Sequence, residues 1–213
     1  MLTKQFKKPG ILFLWTAIGL FAEASIAGYI EFSANGSYAK YNNGLVGGDQ
    51  SFTIVKRGSV GLAYRFMTNT AIEMSYTLSN NFDQFSQDAD ELTEKFYVEK
   101  TTQQKILSIN LILDFADKKA TFRPFIRGGG GYMIRSSVLN ATGVDKTTDV
   151  SRVITFTNQE PTYSASADAG IGFKIYVADS LALEFTGQVY ATDLDKPEIY
   201  LHYALSGGMR ILF

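Results

Sequence analysis

The sequence predicts an all-β chain, an eight-stranded antiparallel up-and-down transmembrane β-barrel. Three observations carry that prediction. Apolar and polar residues alternate with period two through eight segments, the signature of strands rather than helices. After residue 30 no run approaches the roughly 18 apolar residues that a spanning helix requires. Short connections alternate with longer ones, Asp193-Leu194-Asp195-Lys196-Pro197 being the short exception, as turns on one membrane face alternate with loops on the other.

Taken in order, the first segment sets Ile30, Phe32, Ala34, Gly36 and Tyr38 against Glu31, Ser33, Asn35 and Ser37. The second opposes Val60, Leu62, Tyr64 and Phe66 to Ser59, Gly61, Ala63 and Arg65, and the third Ile72, Met74 and Tyr76 to Glu73, Ser75 and Thr77. Leu107 to Phe115 alternate with Ser108, Asn110, Ile112 and Asp114 in the fourth. In the fifth, Ile126, Tyr132 and Ile134 alternate with Arg127 and Arg135 through four glycines. The sixth pairs Ala165 to Val177 with Ser166, Asp168 and Lys174. Leu181 to Val189 with Glu184, Thr186 and Gln188 make the seventh, and Ile199 to Phe213 with His202, Ser206 and Arg210 the eighth. The polar faces hold small residues and charges of both signs, a filling suited to a narrow lumen. A water-facing sandwich surface would favour long Lys and Glu.

Composition agrees. Charged residues are 19% of the chain, below the quarter or so of an ordinary soluble domain. There is no cysteine, which excludes disulfides and thiolate metal sites. The net charge of −1 gives no electrostatic case for nucleic acid.

Residues 1–27 follow a different grammar. Lys4, Lys7 and Lys8 precede an apolar stretch from Ile11 to Phe21, and Ala22-Glu23-Ala24-Ser25-Ile26-Ala27 supplies small residues. Basic, apolar, small-x-small is the layout of a secretory signal peptide. Cleavage is expected after Ala27, with Ala24 as the alternative, leaving 28–213 as one barrel domain. Removal takes three lysines and Glu23, leaving 17 basic against 20 acidic residues. The turns at Met67-Thr68-Asn69-Thr70, Asp117-Lys118-Lys119 and Ala178-Asp179-Ser180 are short, and 42–54, 80–104 and 139–161 read as loops. That spacing puts both barrel termini in the periplasm and the long loops outside the cell.

The chain closes on Leu205-Ser206-Gly207-Gly208-Met209-Arg210-Ile211-Leu212-Phe213. This resembles the last strand of outer-membrane barrels, and the resemblance implies that Phe213 is read by the barrel-assembly machinery. Arg123-Pro124-Phe125-Ile126-Arg127-Gly128-Gly129-Gly130-Gly131-Tyr132 resembles the proline, aromatic, glycine-rich strand of the OmpA/OmpW-like small-barrel superfamily. Gly170-Ile171-Gly172-Phe173 with Asp179-Ser180-Leu181-Ala182-Leu183-Glu184 resembles its next hairpin. Together these implicate most of 28–213, an outer-membrane location, and a fold that hosts many functions.

The inward charges form the candidate site: Glu31, Arg65, Glu73, Asp114, Arg127, Arg135, Asp168, Lys174, Glu184 and Arg210. An eight-stranded barrel has an interior that side chains fill, so opposite charges there should pair. A structural plug is the expected outcome, ahead of a conduction path. His202 and Ser206 share the inward face, but four positions span about 13 Å, beyond a nucleophile–base hydrogen bond. Gly128–Gly131 lack the Gly-Lys-Ser/Thr and helix of a phosphate cradle; they suit curvature or close approach of lumen side chains. Asp88-Ala89-Asp90 lacks the glycine that a calcium loop needs at its sixth position, where Thr93 stands. The 80–104 segment therefore reads as an acidic solvated loop, able to bridge to lipopolysaccharide through divalent cations.

No cofactor, metal site or catalytic constellation is expected. The first functional expectation is a structural or surface-interaction protein presenting extracellular loops, with outer-membrane lipid and lipopolysaccharide as neighbours and a surface ligand unnamed. The second is a narrow channel or lateral-release transporter for small apolar molecules, with Phe52, Ile54 and Phe156 as pocket candidates. A lipid-modifying enzyme is the remote third.

Overall fold

The computed structural model describes residues 28–44, 50–88, 94–117, 119–145, 151–195, 197 and 199–213. The signal segment 1–27, its cleavage point at Ala27 or Ala24, and residues 89–93 of the acidic loop lie outside these. Among the described residues nine strands run in chain order: β1 Tyr29–Gly44, β2 Gln50–Met67, β3 Thr70–Asp88, β4 Glu94–Asp114, β5 Phe122–Asp145, β6 Ser151–Asn158, β7 Thr162–Ala178, β8 Leu181–Thr192 and β9 Tyr200–Leu212. Eight of them close an antiparallel barrel in the order β1-β2-β3-β4-β5-β7-β8-β9, with β9 returning to β1.

The ninth strand, β6, folds back on the top of β5 through Val138–Val144. Lower down, β5 pairs instead with β7, from Phe122 to Arg135. The 139–161 segment, expected as a loop, thus contains a β5–β6 hairpin standing above the barrel. Segments 42–54 and 80–104 are largely strand rather than loop, because β1 and β2 pair up to Gly44–Gln50 and β3 and β4 up to Asp88–Lys95. Ladder pairing satisfies the backbone there, and these segments carry no sustained period of two by which the sequence would show it.

The walls differ in height. At about 3.4 Å per residue, the 24 residues of β5 are about 80 Å of strand, whereas the 12 of β8 are about 40 Å. Tilted by about 45°, β8 covers roughly the hydrocarbon thickness and no more. Two aromatic clusters mark such a band on the outer surface. Phe122, Phe173 and Phe185 meet at ring distances of 5.4 and 5.2 Å, and Tyr132 and Tyr163 at 6.1 Å. Ten positions on β5 separate the clusters, about 34 Å along the strand and about 24 Å in height at that tilt.

The core is inverted relative to a soluble domain. Leu205 is 82% and Ile171 69% exposed, while Arg210, Lys174 and Glu31 are completely buried. Closure between first and last strands is brief. The β1–β9 ladder runs only from Glu31–Leu212 to Gly36–Gly207, although both strands continue upward. Below it, the Phe213 N–H donates to the Ile30 carbonyl at 2.9 Å.

Candidate functional site

All ten of the charged residues singled out above are on the inward face, and nine of them make one connected network. Arg210, on β9, is its hub. Its Nε meets Glu184 at 2.5 Å, its Nη1 Glu31 at 2.9 Å and its Nη2 Glu73 at 2.8 Å. These three carboxylates come from β8, β1 and β3, so one guanidinium ties three other strands together. Arg65 extends the network downward to Glu31 at 2.8 Å and Asp114 at 2.6 Å. Lys174 reaches Asp114 from β7 at 2.9 Å and lies 5.0 Å from the Phe125 ring centroid. Upward, Arg127 bridges Glu73 at 3.2 Å and Asp168 at 3.5 Å. Asn110 fits between that pair, its amide nitrogen donating to Asp168 at 2.8 Å and its oxygen accepting from Arg127.

Glycines make the room for this crowding. A Cβ on Gly129 would lie 2.1 Å from both the Asn110 side-chain amide and the Ile109 carbonyl, and one on Gly61 would lie 2.7 Å from Ser33 Oγ. The inward members of the Gly128–Gly131 run are therefore the steric complement of the polar residues facing them. Ala63, Ala71, Ile112 and Phe125 form an apolar floor beside the network. Above it remains a cavity of about 10 Å³ bordered by Ser33, Asn35, Ser75, Ser108 and Tyr190, about the threshold for one water.

Arg135 stands apart. Its Nη1 pairs with Asp193 at 2.9 Å, a residue just beyond β8 with φ of 62°. This left-handed backbone, which Asp tolerates better than most residues, turns a carboxylate that is only 1% exposed toward the lumen. Sequence reading missed Asp193, because it falls in a connection where alternation has stopped. It also passed over Arg57, although 57, 59, 61, 63 and 65 share one face of β2, and Arg123, which donates to the Ala120 carbonyl at 3.0 Å.

Two further groupings come apart in space. Ser206 Oγ donates to the Thr186 carbonyl at 3.4 Å, whereas His202 Nε2 faces Thr192 Oγ1 at 3.4 Å. They form no nucleophile–base pair. Phe52 stacks on Phe82 at 6.1 Å, with Lys40 Nζ 4.9 Å from the Phe52 centroid. The ladder puts Ile54 opposite Phe82, on the outward parity of β2. Phe52 and Ile54 therefore line no lumen pocket, and the Phe156 side chain is outside the described set. Among the described residues no group of three or more His, Cys, Asp and Glu is arranged to hold a metal ion.

A closed eight-stranded barrel, apolar outside and ionic within, is the class of structure found in small outer-membrane proteins. No protein-family model and no curated protein matches the sequence. Solved structures do resemble the fold. The N-terminal barrel domain of Pseudomonas aeruginosa OprF superposes with a TM-score of 0.48 at 15% identity, covering 87% of this chain and 97% of that one. OprG from the same organism gives 0.48 at 10% identity over 87% and 95%. Neisserial surface protein A gives 0.45 at 14% identity over 87% and 97%.

Proposed function

We propose that the chain is an integral outer-membrane barrel whose ion-paired lumen is a structural plug and whose raised outer wall is its working surface. The observation that supports this best is the network centred on Arg210. It joins β1, β3, β8 and β9 through contacts of 2.5–2.9 Å at a residue with no solvent exposure. An ion pathway needs groups that bind weakly and release; these groups are committed to one another. The inverted core and the two aromatic clusters support a membrane position, with the turns and both barrel ends periplasmic and the tall β2–β6 wall extracellular. Lipid and lipopolysaccharide are then its immediate neighbours, and Phe213, 76% exposed, is available to the assembly machinery.

Planar-bilayer conductance of refolded residues 28–213 tests this reading, after a heat-dependent gel shift has established folding. The expected trace is silent or shows rare small openings. Steady conductance would overturn the plug.

A second reading, lateral release of small apolar molecules, is favoured by the early end of the β1–β9 ladder. Above Gly36–Gly207, Tyr38, Tyr203 and Leu205 are 63%, 69% and 82% exposed, at the level where strands elsewhere are paired.

A further inference from the structure

Above the plug, the lumen carries a second charged cluster that the network does not absorb. Arg57 reaches from β2 across to β8, where its guanidinium carbon lies 4.2 Å from the Tyr190 ring centroid. Tyr190 is only 8% exposed, and its hydroxyl donates to Gln188, so the ring is a fixed platform. Nε and Nη1 of Arg57 are buried yet have no acceptor among the described residues. Next to this platform, His202 Nε2 lies 3.4 Å from Thr192 Oγ1, and Arg135 Nη2 donates to the same hydroxyl at 3.3 Å. The Nε of Arg135 likewise has no acceptor.

The charge balance here is the reverse of that below. In the plug, Glu31, Glu73, Asp114, Asp168 and Glu184 surround Arg65, Arg127, Lys174 and Arg210, five carboxylates to four cations. None of the five contacts Arg57. Above, Asp193 pairs with Arg135, and Arg57 has no carboxylate partner among the described residues. A buried donor on a charged group with no acceptor is costly, so a site of this kind favours whatever anion fits it. The cluster is also reachable, since the Arg135 side chain is 22% exposed and Arg57 and His202 are partly exposed.

We propose that Arg57, Tyr190, Thr192, His202 and Arg135 form a binding site for one small anionic group, a carboxylate or a phosphate. Arg57 and Arg135 supply the charge and the unoccupied N–H directions, and Thr192 and His202 the neutral hydrogen bonds between them. The anion can arrive free from the outer mouth or as the head of an amphiphile. The second route follows from the seam: Arg57 is paired with Ser37 on β1, one residue above the last β1–β9 pair.

The test is calorimetric titration of the folded full chain in non-ionic detergent, with inorganic phosphate and oleate as separate probes. Saturable one-to-one binding is expected for at least one. R57Q and R135Q should each weaken it about tenfold or more, as loss of a charge-assisted hydrogen bond does. R57K, which keeps the charge but not the planar donors, should fall between. K105Q, at an exposed position of β4, should leave it unchanged. Binding of both probes identifies a free-anion site, and binding of oleate alone an amphiphile site. No saturation with either probe, or equal binding by wild type, R57Q and R135Q, would overturn the proposal.

Discussion

The lower and upper halves of the lumen are built from the same residue types on the same inward positions, yet they are different objects. Below, Arg65 and Arg127 each touch two carboxylates and Arg210 touches three. Above, Arg135 touches one, and Arg57 rests on an aromatic ring with donors to spare. Stoichiometry makes the difference. Where carboxylates match or outnumber cations, the charges satisfy one another and become architecture. Where a cation is left over, the same chemistry becomes a capacity to bind.

That contrast can be broken at its strong end first. Arg210→Ala removes the hub and leaves Glu31, Glu73 and Glu184 buried without it. The expected loss is about 3–5 kcal/mol, the range for stranding buried partners of an ion pair, read from the urea midpoint of the gel-shift transition. A loss below about 1 kcal/mol would mean that the barrel is held by its ladders alone. Arg135→Gln belongs in the middle: it takes one ion-pair partner from a buried carboxylate, Asp193, at a partly exposed rim. About 1–2 kcal/mol is expected from the same unfolding curve. Arg57→Gln is the smallest, about 1 kcal/mol, since a ring contact and a hydrogen bond with Tyr190 are lost. If it unfolds the barrel as Arg210→Ala does, Arg57 is part of the plug and the two halves are one.

Much of this was readable from the residues. Alternation identifies the inward face of every barrel strand, since lipid outside and polar packing inside impose a period of two. The members of the plug are therefore visible one strand at a time. Their partners are not. Whether Glu73 meets Arg127 or Arg210 is decided by the stagger between strands, and Glu73 contacts both. Asp193 escapes because its inward aim comes from a single left-handed residue after the strand has ended. The upper parts of β3 and β4 escape for another reason. Both faces of that ladder are polar, exposed at Thr101 and Gln103 and buried at Thr102 and Gln104, so nothing in composition distinguishes these residues in a strand from the same residues in a loop. Of the apolar-pocket candidates, Phe52 and Ile54 lie on the outward side of β2, a parity that alternation alone assigns only where it is sustained.

The short β1–β9 seam also bears on how the barrel is completed. It joins the two ends of the folded chain, so it has the largest loop to close, and six ladder pairs are little return for that entropy. The ion pair between Arg210 and Glu31 spans 179 residues and crosses this same seam. Docking of the last strand therefore closes the wall and supplies the shared guanidinium in one event. A sheet still waiting for β9 is more than incomplete: it holds Glu31, Glu73 and Glu184 without the guanidinium that joins them, which sets it against burial in the membrane until the final strand arrives.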